Sequence, residues 1–198
     1  MGSTPCEQKG KSSMIKRERE EGQKQEALLS ERTMAVPQRL GPRPRTTPRT
    51  PHLQQDQHGA PEMSAMLAER VFALPDIEEG QSTISDPRSR AFWLKRSVPA
   101  GPPNAFLGRR EIGHFHPWDG SMHVMLPPDV ARQAVASGWA EVHPVAAAGM
   151  APENLVMVYS PRDEQEVNVL FALLQAAYRY AGGRLPEHTE KPIPGEKK

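Results

Sequence analysis

Between Arg110 and His123 the sequence places three of its seven histidines, His114, His116 and His123, beside Arg110, Glu111 and Asp119. A fourth, His143, follows in Gly138-Trp139-Ala140-Glu141-Val142-His143-Pro144. Imidazole titrates near neutral pH and binds metals in its neutral form, so the clustering argues for a site rather than for packing. His114 and His116 are two residues apart, a spacing that puts both rings on one face of a strand. His123, on a return strand, would face them. Three imidazoles with Glu111 or Asp119 suit zinc, iron, manganese or copper. A metal-free chemistry is equally concrete. A strand-borne histidine can take the proton of an acidic phenol or enol, with Glu111 or Asp119 fixing its tautomer. Arg110 can then hold the anion by paired hydrogen bonds. Ser121 lacks the glycine pattern of a nucleophile elbow.

The candidate catalytic residues are therefore His114, His116, His123, His143 and Glu111. Arg110, Asp119, Trp139 and Arg162 are candidate substrate contacts, although Trp139, beside a helix stop, reads as a core anchor first. Arg162 stands where a helix begins, against the helix dipole, and calls for a carboxylate partner or an anionic ligand. If a metal is bound, His114, His116 and His123 are its ligands. No glycine-rich nucleotide loop is present, so neither flavin nor nicotinamide is expected. No cofactor is expected on this reading, and a divalent metal is the alternative.

The elements that must position these groups read as an α+β domain: a small, antiparallel-rich sheet, a long C-terminal amphipathic helix and one or two shorter helices. Strands are expected at 83–85, 91–94, 106–116, 121–126 and 155–159. Asp119-Gly120 supplies the turn of the histidine hairpin. Helices are expected at 65–72 and 128–137. Val167, Leu170, Phe171, Leu174, Ala177, Tyr178 and Ala181 form one apolar face of the last helix, with Ser160 as its cap and Pro161 at its first position.

Composition adds a second division. The chain has 198 residues, 21 of them proline, and a mean hydropathy of −0.64. Residues 1–61 hold eleven basic and seven acidic side chains, a balance of +4, and the remainder holds fourteen and seventeen, a balance of −3. Residues 1–61 thus read as a disordered, Pro/Arg-rich leader, dispensable for folding. Residues 62–184 read as the folded domain and 185–198 as a polar tail. A net charge of +1 gives no basic field for nucleic acid. The single cysteine, Cys6, excludes an intramolecular disulfide and a cysteine metal site. With no long apolar run and no secretory signal, a soluble, cytoplasmic protein without membrane partners is expected.

Four blocks in order, 109–116, 121–123, 138–144 and Tyr159-Ser160-Pro161-Arg162-Asp163-Glu164 with Glu166, resemble the fungal luciferase family. The resemblance covers about Phe106 to Tyr180. It implies oxidation of a hydroxylated pyrone, 3-hydroxyhispidin, by molecular oxygen with emission of light, without flavin, nucleotide or added metal. It also implies that His114, His116, His123 and His143 form the site, with Arg110, Glu111 and Arg162 as polar support. The fungal enzyme has a membrane-anchoring N-terminal segment, whereas this leader is polar. The arginine- and proline-rich composition suggests a bacterial member. The expected partners are a small molecule, enolic or phenolic, and oxygen. Two alternatives stand beside this reading: a metal-dependent oxygenase or hydrolase, and a non-catalytic module binding a small molecule or metal.

Overall fold

The computed structural model describes residues 35–185. Six strands form one antiparallel sheet: β1 (Ile77–Gln81), β2 (Arg90–Leu94), β3 (Glu111–Phe115), β4 (Met122–Met125), β5 (Ala140–Val142) and β6 (Leu155–Val158). Their order is β1-β2-β3-β4-β6-β5. Among the described residues four α-helices accompany them: α1 (Pro61–Phe72), α2 (Pro128–Ala136), α3 (Pro144–Ala147) and α4 (Glu164–Tyr180). The expected α+β class, with its antiparallel sheet and long C-terminal helix, is the one observed. Among the described residues, no helix is long and apolar enough to cross a membrane.

Side-chain alternation gives the sheet two unlike faces. On one, Phe92, Phe115, Val124 and Val156 build a conventional core. Phe115 meets Phe92 and Phe72 of α1, each at a ring-centroid distance of 5.8 Å. α4 packs against α1, α2 and β4. The other face carries a polar row. Ala91 pairs with His114, His114 with His123, His123 with Met157, and Met157 with Glu141. One row across five strands therefore holds two of the expected histidines and a carboxylate.

α4 is stabilised where it starts by a reciprocal cap. The Asp163 carboxylate accepts from the Glu166 amide at 2.8 Å, and Glu166 accepts from the Arg162 amide at 2.9 Å. The cap is thus Asp163, three residues later than the expected Ser160. Other differences have equally local reasons. β1 (Ile-Glu-Glu-Gly-Gln) has only one buried residue, so it lacks the apolar alternation that marks a strand. Residues 83–85, expected as a strand, are a loop. The long strand expected over 106–116 shortens to Glu111–Phe115, because Arg109 takes a positive φ of 50° and Glu111 N bonds back to Gly108 O at 3.0 Å.

Residues 1–34 and 186–198 lie outside the described residues. Residues 36–60, assigned by composition to the unpacked leader, run over the domain as a strap, so the boundary expected at 62 falls inside the packed chain. Few of the strap's anchors are apolar, and hydropathy does not see them. Arg39 N donates to Ser137 O at 2.9 Å, and Pro37 O accepts from the Trp139 indole at 2.5 Å. The Gln54 amide nitrogen donates to Asp119 at 2.9 Å, while its side-chain oxygen accepts from Ser160 N at 2.8 Å. Arg39, His52 and Gln54 are all buried.

Two stability predictions follow from these contacts. A chain beginning at Pro61 leaves the partners of Arg39, His52 and Gln54 exposed or unpaired. It should lose about 2 kcal/mol or more and melt roughly 5–10 °C lower, as read by calorimetry. Gly113 sits where a Cβ would stand 2.6 Å from both the His123 carbonyl oxygen and the Phe92 ring. Gly113→Ala should therefore cost roughly 1–3 kcal/mol in denaturant unfolding, with no change of m-value.

Candidate functional site

One extra residue in β3 sets the geometry of the site. Phe92 pairs with Gly113 but Trp93 pairs with Glu111, so Ile112 is the bulged residue. A bulge reverses side-chain parity along the strand. Glu111, which simple alternation puts on the face opposite His114, is turned onto the same face. Its carboxylate is fully buried and bonds His114 Nδ1 at 2.8 Å. Ser82 Oγ donates to the same oxygen at 2.8 Å, and the Thr83 amide donates to the other at 3.2 Å. Here lies the function of the 83–85 segment as a loop: its backbone holds Glu111.

The hydrogen bonds assign the proton on four histidines. A carboxylate only accepts, so His114 carries its proton on Nδ1 and leaves Nε2 bare. Ser121 Oγ donates to Asp119 at 2.7 Å and therefore accepts from His116 Nδ1 at 2.9 Å, leaving His116 Nε2 bare. Glu141 accepts from His52 Nε2 at 2.6 Å, leaving His52 Nδ1 bare. His143 is the opposite case. Its Nδ1 accepts from the Val145 amide at 3.2 Å, capping α3, so its Nε2 bears the proton. His114 Nε2, His123 Nε2 and His52 Nδ1 are buried with no hydrogen-bond partner.

The five rings form a continuous cluster centred on His123. Ring centroids lie 4.4 Å from His123 to His143, 4.5 Å to His116, 5.3 Å to His114 and 5.4 Å to His52. Two triads of ring nitrogens each fall within 4.8 Å of one another: His114, His116 and His123, and His52, His123 and His143. The cluster opens on a cavity of about 620 Å³, whose walls are otherwise largely apolar, with Leu53, Ile84, Leu107, Val145 and Leu155 among them. Trp118, stacked on His116 at 5.2 Å, forms part of the rim, and the guanidinium of Arg88 lies 5.5 Å over its ring.

Burial keeps most of these imidazoles neutral. It lowers His114 despite the opposing effect of Glu111, and lowers His123 well below the ordinary value, assisted by the neighbouring rings. Burial, with His52 next, brings His143 down to about 4. Burial alone would raise Asp119 and Glu141. Asp119 is instead held below the usual carboxylate range by His116, 3.7 Å away through Ser121, and by the Ser121 hydrogen bonds. Glu141 is held low chiefly by His52.

His114, His116, His123 and His143 thus meet at one cavity, with Glu111 behind His114 and Asp119 behind His116 rather than in the cavity wall. The expectation that Arg110, Trp139 and Arg162 contact substrate gives way to structural roles. Arg110 spends its guanidinium on the carbonyls of Leu94, Lys95 and Val98, at 2.6–3.0 Å. Trp139 is buried against the strap. Arg162 finds its carboxylate in Glu166, with Nε 2.7 Å from Oε1. His52, Ser82 and Glu141 were not among the expected site residues. His52 carries no local signal at all, since it lies in the proline-rich segment and reaches the site only through the strap.

Fold and site together define a small α+β domain with a buried histidine pocket at one sheet face. Residues 109–177 match the family model described as the luciferase domain. The luciferase of Armillaria ostoyae is 28% identical over 163 residues, covering 73% of this chain and 60% of that protein. The luciferase of Armillaria mellea is 27% identical over the same shares. The luciferase of Neonothopanus nambi is 28% identical over 102 residues, 46% of this chain and 38% of that protein. These matches support the luciferase-domain family, and give no support to a bacterial source. The chain spans about 60% of the length of the Armillaria relatives. No solved structure matches significantly.

The lowered histidines make a pH prediction. Between about 4 and the ordinary value of 6.5, the unfolded chain holds a proton at residue 143 that the folded chain does not. Stability must then rise with pH across that window and fall on acidification through it. His114 and His123 act in the same direction. The melting temperature should drop steadily from pH 7 to pH 4.5. His143→Asn keeps a capping oxygen for Val145 N but cannot titrate, so it should flatten part of that slope.

Proposed function

We propose that this protein oxidises a small enolic or phenolic compound with molecular oxygen in the histidine pocket. The observation that carries this reading is the set of three imidazoles, His52, His114 and His116, each tied on one nitrogen to a carboxylate, directly or through Ser121, and bare on the other. Such an imidazole accepts a substrate proton readily, because the carboxylate behind it stabilises the imidazolium that forms. The enolate or phenolate left in the cavity is electron-rich and is the species that gives electrons to oxygen. Apolar walls strengthen each polar contact made inside them. A volume of about 620 Å³ is ordinary for a small-molecule site. The likeness to proteins named luciferases supports oxygen as the co-substrate, and the resemblance to the fungal family supports a hydroxylated pyrone or a similar enol.

Oxygen uptake with hydroxypyrones and catechols tests the reading. His114→Gln and His116→Gln keep a donor toward the acid but have no basic nitrogen. Each should lower turnover by about 10²-fold or more while leaving the circular-dichroism spectrum unchanged. Uptake that no enol or phenol stimulates, with ligand affinity alone altered in the variants, would replace the enzyme by a binding module.

A further inference from the structure

We infer that His114, His116 and His123 bind one divalent transition-metal ion, of the zinc, cobalt, iron or copper class. Three observations point there. First, a ring nitrogen of each lies within 4.8 Å of those of the other two, and the Nε2 atoms of His114 and His123 are buried without any hydrogen-bond partner. A buried ring nitrogen without a partner is costly, and a cation among the three rings would take a lone pair from each. Second, the outer contacts are those of a prepared metal site. Ligand histidines commonly donate their second nitrogen to a carboxylate or its relay, which fixes the tautomer and raises basicity. His114 does so to Glu111, and His116 does so through Ser121 to Asp119.

Third, charge is unbalanced. Glu111 and Asp119 are both buried, and among the described residues no lysine or arginine comes within 4.0 Å of either; their only ion-pair partners are His114 and His116. Two buried carboxylates behind neutral ligands compensate a doubly charged ion. Nitrogen donors select transition metals over magnesium and calcium, which prefer oxygen.

The overlapping triad of His52, His123 and His143 is less suited. His143 Nδ1 accepts from Val145 N, so its other nitrogen carries a proton and cannot ligate until the α3 cap is broken. The favoured triad leaves His52 Nδ1 as a proton acceptor on the cavity side. The inference does not rest on the proposed reaction, because binding is read with no substrate present; with the ion bound, His114 and His116 are ligands and His52 Nδ1 is the base left for the substrate proton.

The test uses the full, untagged chain, stripped by chelator and titrated with cobalt(II). One equivalent should bind, with the visible d–d absorption of imidazole-ligated cobalt, and zinc should displace it. His116→Gln and His123→Ala should abolish the band; if His123→Ala fails to fold, His116→Gln carries the result. Glu111→Gln should weaken binding about 10- to 100-fold while keeping the band shape, which identifies Glu111 as a positioning residue. His143→Ala should keep one equivalent. Absence of the band at saturating cobalt would overturn the inference. So would its loss in His143→Ala with retention in His116→Gln, which would put the ion in the other triad.

Discussion

The bulge at Ile112 brings Glu111 and His114 to the same side of the sheet, and much of the site depends on that pair. A carboxylate with no exposure is costly unless each of its oxygens is satisfied. Here Ser82, Thr83 and His114 satisfy them, and in doing so they fix the β1–β2 loop against β3 and the tautomer of the ring. From His114 the constraint passes along the cross-strand row to His123 and on to Glu141, which orients His52. The site is thus a property of strand register. A one-residue slip of β4 would separate His123 from His114 and send its ring into the helix-side core.

The two faces of the sheet divide the labour. Phe92, Phe115, Val124 and Val156, with the helices over them, supply conventional apolar burial, at roughly 25 cal/mol per Å². That face can support an opposite face on which buried polar atoms go unpaired and burial holds most of the imidazoles neutral. The arrangement is expensive in stability, as sites commonly are. The strap offsets part of this through specific polar contacts rather than through oil-like packing. Arg39 illustrates how: its guanidinium lies between the Trp139 and Tyr159 rings, 6.0 and 5.7 Å from their centroids, with Glu166 3.4 Å from its Nε. The same Glu166 closes the cap of α4. Strap and C-terminal helix therefore meet on one carboxylate.

What could be read from the sequence was what short-range periodicity encodes. His114-x-His116, the Asp119-Gly120 turn and the return to His123 form a local hairpin, so alternation alone brings those rings together. The apolar stripe of α4 is equally local. Alternation failed where a bulge changed parity, and Glu111 reached His114 by a route that period-two reasoning does not allow. Residue type misled for Arg110, and for Arg162 the carboxylate partner rather than the anionic ligand is the outcome. An arginine near a histidine cluster is chemically plausible as an anion clamp, and only the three-dimensional positions of backbone carbonyls and Glu166 show that both are already engaged. His52 was the largest omission. Its segment has the composition of a solvated chain, and the contact that orients it, with Glu141, spans 89 positions in sequence.

The distribution of protons over the cluster constrains the chemistry more than the number of rings does. Five imidazoles without orienting partners would exchange tautomers freely and present no defined face. Three acids and one backbone amide remove that freedom. His52, His114 and His116 become acceptors toward the cavity and His143 becomes a donor, while His123, with no orienting hydrogen bond and held neutral chiefly by burial, sits between the His114–His116 pair and the His52–His143 pair. On the proposed function, a pocket that offers acceptors and a donor, with His52 and His143 side by side, suits a substrate that gives up a proton at one oxygen and receives a hydrogen bond at the next. The adjacent hydroxyl and carbonyl of a hydroxypyrone-like enol, or the two adjacent hydroxyls of a catechol, meet that requirement, whereas a simple aliphatic alcohol, too weak an acid to yield its proton to a desolvated imidazole, does not.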